Sequence, residues 1–540
     1  MPAPVTASTP HPVRFCIRAA RRSDALRAGR LVVWCAMTTA WPTAGAQRAR
    51  VPTIVAAVDS LARSAVADGL TPALGVAIVM DGAVVYREAF GYADVTAGIR
   101  ADRRTLWYVA STSKMFTGVA VALLASRGAV QPTAPIAALL PDVVWHPSVN
   151  ARALTLADFL AHTHGLADTA LVMSAAYTGA VPERRWPALL GLAPASGARD
   201  LVYGNLGYNV AAMVIDRLRP EGWKQFVHDA LFGPIGMQHT YARVSGLPPA
   251  RIARPHRLLG DGRYRTEPFA KVDATMNAAG GHLATLDDLA RWTIVQMDSG
   301  RLEGRTVVAP EAVALAQQSL AAHTRDAARR FAFFDRDGWG MGWDLGRYEG
   351  DRMIGRFGAY HSFRSHVSFL PDRRVGVIAM STGGAGTALT DIIAALVYDL
   401  AAGRADALPR ATARVQELHV RMRSARTAAM ARDSAERARG LTPRRVPTER
   451  HVGHYGREGY GVLTIVERRG RLAYRWGALQ GTLLPVDTSG ARFETLRAGG
   501  RVMVEFSRSP GGTSAHLVFD DMLLPRVPST RDGRPPVQSR

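Results

Sequence analysis

The 540-residue chain predicts an α+β fold (an α/β sandwich): an antiparallel sheet flanked by helices, with an all-helical insert, followed by a small all-β, barrel-like C-terminal domain. Three observations carry this expectation. Two β-rich runs near the start, Gly75–Met80 and Ala83–Phe90, are joined by Asp81-Gly82, a strong hairpin signal. Four more β-rich runs gather far downstream, at 342–348, 352–357, 364–370 and 375–381, with mostly helical sequence between the two groups. From His451 the style changes, and short β runs alternate with turns.

Taken in order, residues 1–46 read as a leader. Its apolar run Leu31–Trp41 ends at Pro42, and Ala44-Gly45-Ala46 fits a small-x-small cleavage pattern, with cleavage expected after Ala46. The expected location is therefore secreted or periplasmic, and no later stretch is long and apolar enough to span a bilayer. The first folded unit covers 50–402. Helical spacing opens it at Val55–Asp68, and the hairpin follows. A helix follows Ala110-Ser-Thr-Ser-Lys114, with Gly128 placed to end it. Leu154–Leu166 predicts a short helix and a turn, and 167–200 an irregular border to a cleft. An extended piece then delivers Tyr203 and Asn205 to another helix. Glu221–Leu231 predicts a helix, and Thr285 an N-cap for Leu286–Gln296. The four downstream strands and a helix, Thr390–Ala401, close the unit, so both chain ends contribute to one sheet. Residues 403–446 are Ala/Arg-rich and predict an exposed helical linker. The β domain spans 447–526, and 527–540 is a Pro/Arg-rich, disordered tail.

Bulk properties narrow the function. The formal net charge is +22, yet the arginines are spread along the chain and no nucleic-acid-binding motif accompanies them. Nucleic acid is not an expected partner. Both cysteines, Cys16 and Cys35, lie in the leader, which leaves no disulfide, thiol nucleophile or thiolate metal site downstream. His162 and His164 lack a Glu or Asp at ligand spacing, so they predict a structural loop and no metal.

The chemistry centres on Ser111-x-x-Lys114. Residues three apart share a helix face, so the two side chains can touch. A serine hydroxyl needs a base, and a desolvated lysine can serve where arginine cannot. Lys114, Lys224 and Lys271 are the only lysines in a chain that otherwise uses arginine. The lysine in the tetrad is therefore a pointed choice. Tyr203 can move a proton to or from a leaving group, and Asn205 can hold a substrate amide and orient Lys114. The backbone N–H of Ser111, at a helix N-terminus, supplies one oxyanion donor.

Ser111-x-x-Lys114, Tyr203-x-Asn205 and a glycine-bearing strand motif together resemble the serine β-lactamase and penicillin-binding protein superfamily, in its class C-like, peptidase S12 branch. Leu160–Leu166, Phe232–Met237 and the Ala-Gly-Gly-His turn extend the resemblance over about residues 55–400. The segment from Val452-Gly-His-Tyr455 resembles the lipocalin-like β domain often fused to such hydrolases. The resemblance implies a secreted serine hydrolase that forms an acyl-enzyme on Ser111. Its substrates would be small molecules or peptides, with cell-wall-derived amides and esters among them, and no metal or organic cofactor is needed. Two departures stand out. Arg356-Phe357-Gly358 takes the place of the usual Lys-Thr-Gly or His-x-Gly, and His164 stands where Ser is usual. Arg356 is then expected to bind a substrate carboxylate, Gly358 to line the site, and the Ala359 N–H to be the second oxyanion donor. His361 and Arg364 lie close enough in sequence to assist. The alternatives are a small-acyl esterase and a catalytically weak binding or scaffold protein on the same fold.

Overall fold

The computed structural model describes residues 49–167, 170–197, 199–323, 333–383, 386–441, 448–486, 489–497, 500–507 and 513–528. The expected leader, and the expected tail from 529 on, lie outside the described residues. Helices α1 (Val51–Ala67), α2 (Lys114–Ser126), α3 (Leu206–Leu218), α4 (Leu286–Met297), α5 (Gly386–Ala401) and α6 (Ala407–Leu441) surround a large antiparallel sheet. Its strands are β1 (Ala73–Met80), β2 (Ala83–Asp94), β3 (Ile99–Arg100), β4 (Ala321–Ala322), β5 (Asp335–Trp339), β6 (Asp344–Tyr348), β7 (Asp351–Tyr360), β8 (Phe363–Leu370) and β9 (Val375–Thr382). They lie in the order β4-β5-β6-β7-β8-β9-β1-β2-β3.

The two chain ends do meet. β1 pairs with β9 from Ala73↔Thr382 to Met80↔Val375. The β1–β2 hairpin turns on Asp81 (φ 51°) and Gly82 (φ 77°), the doubly left-handed geometry that Asp-Gly favours. All eight residues of β1 are buried because both sheet faces are covered. Leu74, Val76, Ile78 and Met80 pack with α1 and α5, while Ala77 and Val79 pack on the side of α2 and α4.

α6 extends through the expected linker, but one face of it is covered. Ala411 and Leu418 join the core beneath α5. After it, β10 (Gly453–Arg457), β11 (Gly461–Arg468), β12 (Arg471–Trp476), β13 (Leu479–Thr482), β14 (Leu484–Pro485), β15 (Arg492–Arg497), β16 (Gly500–Phe506), β17 (His516–Phe519) and β18 (Met522–Val527) form a second antiparallel sheet. Its order is β13-β12-β11-β10-β18-β17-β16-β15-β14. The two edge strands are consecutive in the chain, so the sheet curls into a nearly closed barrel around Tyr455, Leu463, Trp476, Val504 and Phe519. No helix among the described residues is long and apolar enough to cross a membrane.

What positions the site is the end of β7. Its first half, Asp351–Gly355, pairs with β6, but Arg356–Tyr360 runs on past that strand. The chain enters β6 through Gly342 (φ 86°), where a Cβ would stand 2.2 Å from the Lys114 carbonyl oxygen. The open edge of β7 therefore faces the start of α2. The helix is held equally closely by Gly118, whose added Cβ would stand 2.0 Å from the Met341 carbonyl oxygen. In an exposed helix, Gly→Ala gains roughly 0.5–1 kcal/mol. Here two backbones touch, so Gly118→Ala is expected instead to cost about 1–3 kcal/mol, the range for overpacked cores. A lowered urea midpoint with an unchanged slope would register it. An unchanged or raised midpoint would show that the contact yields freely.

Candidate active site

The turn bearing Ser111 is fixed from two sides. Val109 N donates to the His282 carbonyl at 3.0 Å. On β8, Ser365 Oγ donates to the Val109 carbonyl at 2.7 Å and shares a 2.7 Å hydrogen bond with Thr112 Oγ1. Gly358 passes so close that a Cβ would stand 2.4 Å from the Val109 carbonyl oxygen. Ala110 is left-handed (φ 51°), a costly conformation for a residue with a β-carbon, and it begins the 3₁₀ turn Ala110–Ser113 that leads into α2.

Lys114 is fully buried. Its Nζ lies 2.7 Å from Asn205 Oδ1, 2.9 Å from the Ala279 carbonyl oxygen and 3.4 Å from Ser111 Oγ, with the Tyr203 and Tyr208 rings at 4.9 and 5.6 Å. None of these partners is a carboxylate. Burial pushes its pKa down to about 8, with Tyr203 opposing and the Arg356 charge reinforcing the fall. Asn205 sits at the N-cap of α3 yet makes no side-chain cap, because its amide oxygen is turned to Lys114.

The Tyr203 hydroxyl accepts from Arg356 Nη2 and lies near enough to Ser111 for that side chain to lower its pKa, although 44% of the residue is exposed. Burial alone would raise its pKa. The charges of Arg356 and Lys114 outweigh that and bring it down to about 7. His162 (φ 62°) backs Tyr203, its ring 4.8 Å from the tyrosine ring and 4.6 Å from Trp339. Burial, then the Lys114 and Arg356 charges, hold the imidazole pKa well below its usual value.

Arg356, expected to meet a substrate carboxylate, is 3% exposed and has its three nitrogens on protein acceptors. Nε donates to the Ser111 carbonyl at 3.0 Å, Nη1 to Asp344 Oδ2 at 3.0 Å, and Nη2 to the Tyr203 hydroxyl. Ala359 is the residue just past Gly358. The β7–β8 hairpin closes on two residues, His361 and Ser362, so Tyr360 and Phe363 form the hydrogen-bonded pair and the next pair, Ala359↔Arg364, does not. The Ala359 N–H thus points off the open edge of β7, the edge that faces Ser111. Its partner Arg364 lies on the sheet face opposite Arg356 and Gly358, and Nη1 donates to the His361 and Phe363 carbonyls. His361 pairs with Glu267 at 2.9 Å. His164 accepts from the Leu166 N–H at 3.1 Å and stacks on Phe159. Among the described residues, no group of three or more His, Cys, Asp or Glu side chains converges to hold a metal.

Three contributors escaped the sequence. The Ala279 carbonyl is backbone and has no residue signature. His162 was read only as part of a loop. Asp344 had one available signal: a buried arginine needs a carboxylate, and this one lies twelve positions upstream at hairpin distance.

The Beta-lactamase family profile matches residues 58–402. Penicillin-binding protein 4 of Amycolatopsis lactamdurans is 24% identical over 339 residues, which is 62% of this chain and 87% of the relative. Two solved structures share the fold. The octameric penicillin-binding protein homologue of Pyrococcus abyssi is 18% identical with a TM-score of 0.54, covering 87% of this chain and 99% of its own. The D-amino acid amidase of Ochrobactrum anthropi is 19% identical with a TM-score of 0.53, covering 67% and 99%. With the family match running through more than half of its length, the chain belongs to the Beta-lactamase family, whose superfamily members are serine hydrolases.

Proposed function

We propose that the protein is a secreted or periplasmic, peptidase S12-like serine hydrolase that cleaves amide, peptide or ester bonds through an acyl-enzyme on Ser111. One observation carries this reading: a fully buried lysine, paired with no carboxylate, stands 3.4 Å from a serine hydroxyl that also meets a tyrosine. The names of the relatives, a penicillin-binding protein and a D-amino acid amidase, support amide-type carbonyls as substrates.

In the first step Ser111 gives its proton to the Lys114–Tyr203 pair as Oγ attacks the carbonyl carbon. The N–H groups of Ser111 and Ala359 hold the oxyanion. Tyr203 returns the proton to the leaving nitrogen or oxygen, and the C–N or C–O bond breaks. The same pair then takes a proton from water as it attacks the acyl carbon, the C–Oγ bond breaks, the pair returns the proton to Ser111 Oγ, and the acid is released. Asn205 keeps Lys114 in place and presents its amide to the substrate.

A fluorescent penicillin and a fluorophosphonate probe, followed by mass spectrometry of the adduct, test the assignment. An adduct at Ser111 that is lost in Ser111→Ala is expected. Folded protein that neither probe labels would sink the proposal. Lys114→Arg and Tyr203→Phe should each lower kcat/KM by about 10²–10⁴, the range for a general acid–base group, with little change in thermal midpoint for Tyr203→Phe. Loss of less than threefold in either variant would remove that residue from the mechanism.

The pH dependence follows from the pair. The active form has lost one of the two protons shared by Tyr203 (about 7) and Lys114 (about 8), whichever group holds the other. kcat/KM should therefore rise with pH through about 7 and fall again through about 8. A profile flat from about pH 6 to 9 contradicts this assignment.

The apolar run 31–41 before Ala44-Gly45-Ala46 supports export. N-terminal sequencing of the exported protein should begin at Gln47. Recovery only of uncleaved protein in the cytoplasm would contradict export.

A further inference from the structure

Arg356 is enclosed as well as paired. Its guanidinium lies 4.7 Å from the Trp339 ring and 5.2 Å from the Tyr203 ring, so aromatic surface covers it where acceptors do not. Its counter-ion Asp344 is 1% exposed and opposes Gly355, the residue before Arg356, across the β6–β7 ladder. Both Asp344 oxygens are occupied. Oδ2 accepts from Arg356, and Oδ1 accepts from Arg336 and lies 3.2 Å from His323 Nε2. A substrate carboxylate would have to displace Asp344, a pre-positioned acceptor that loses no freedom on binding. The displaced carboxylate would then be left buried with Arg336 as its one ion-pair partner and the His323 ring beside it.

Resting on the reading of Ser111 as an acylated nucleophile, we infer that Asp344 sets the substrate class. By committing Arg356 to Tyr203 and to the Ser111 carbonyl, it directs the site toward neutral substrates over those carrying a free carboxylate beside the scissile bond. The preferred substrates are carboxamides, esters and internal peptide bonds. Arg356 is then a positioning residue for Tyr203, and Asp344 is a specificity-determining residue that touches no substrate atom.

The test uses the full chain and two reversible serine ligands, phenylboronic acids bearing either a meta-carboxylate or a meta-carboxamide. Each is titrated for protection of Ser111 against fluorophosphonate. The carboxamide should protect at a concentration at least tenfold lower than the carboxylate. Equal protection, better protection by the carboxylate, or protection by neither overturns the inference. If fluorophosphonate fails to label Ser111 in folded protein, the hydrolase reading fails first and takes the inference with it.

Two variants separate positioning from mere support. Arg356→Gln should slow labelling while leaving the carboxylate-to-carboxamide ratio within about twofold. A selective loss of the carboxylate ligand would show that Arg356 does bind it. Asp344→Asn frees a guanidinium amid Lys114, Arg336, His162 and His323. It should narrow the ratio at least threefold and move the acid limb of the pH profile downward, because Tyr203 then faces less compensated positive charge. An unchanged ratio and limb in folded Asp344→Asn would overturn the role of Asp344. The wild-type comparison stands whether or not that variant folds.

Discussion

The site depends on an ammonium group buried without a carboxylate. Lys114 has the Asn205 amide, the Ala279 carbonyl and Tyr203, and no carboxylate, to offset its desolvation. They do not offset it fully. The fall from the usual 10.5 to about 8 corresponds to about 3 kcal/mol against the charged form. A carboxylate in their place would restore the charge and end any exchange of protons with Ser111 near neutral pH. The chain does carry a buried carboxylate nearby, but spends it one layer back, on Arg356. The two cations are thereby given different tasks. Lys114 is left free to lose its proton, while Arg356, which cannot lose one, lends its field to Tyr203.

Much of this arrangement was legible because it is local. The Asp81-Gly82 turn, the β-rich runs that become β1, β8 and β9, and the three-residue spacing of Ser111 and Lys114 are short-range facts that sequence patterns report directly. Tyr203 and Asn205 were readable for the same reason, as an extended stub entering a helix. What escaped was decided by pairing across the sheet. β5, Asp335–Trp339, is polar and contains a glycine, so its β signal is weak, and it is a strand because β6 offers it an edge. α6 looked solvent-exposed because its mean hydropathy is low. The few apolar positions that matter, Ala411 and Leu418 seven apart, are enough to seat one face on the core.

The Arg356 departure illustrates the limit of motif transfer. The strand motif placed it opposite Ser111, where its Nε meets the Ser111 carbonyl. Its charge invited a substrate carboxylate, and nothing within a few residues argued otherwise. Only the β6–β7 register sets Asp344 against Gly355 and so brings a carboxylate to the guanidinium. A cation in a cleft says little about ligand charge until its own counter-ion has been found.

The C-terminal barrel supports the Ser111 region through the segment Met173–Thr178. Its β12–β13 turn lies against the segment Met173–Thr178: the Ala478 N–H donates to the Thr178 carbonyl at 2.7 Å, and a Cβ on Gly477 would stand 2.0 Å from that oxygen. Ala170 and Met173 are part of the barrel's own core. That segment is tied in turn to the site. Asn277 Nδ2 donates to the Ala175 carbonyl at 3.1 Å, and Lys271 Nζ and the Tyr360 hydroxyl both reach the Ala176 carbonyl. Asn277 Oδ1 accepts from Ala279 N, and the Ala279 carbonyl is the one that holds Lys114. Tyr360 follows Ala359 directly on β7. Displacing the barrel would therefore expose apolar surface and strip a partner from the segment that buttresses both the lysine's acceptor and the end of β7. A proton-transfer site built on a desolvated lysine tolerates little such movement, because water reaching Nζ would return its pKa toward that of an ordinary surface lysine.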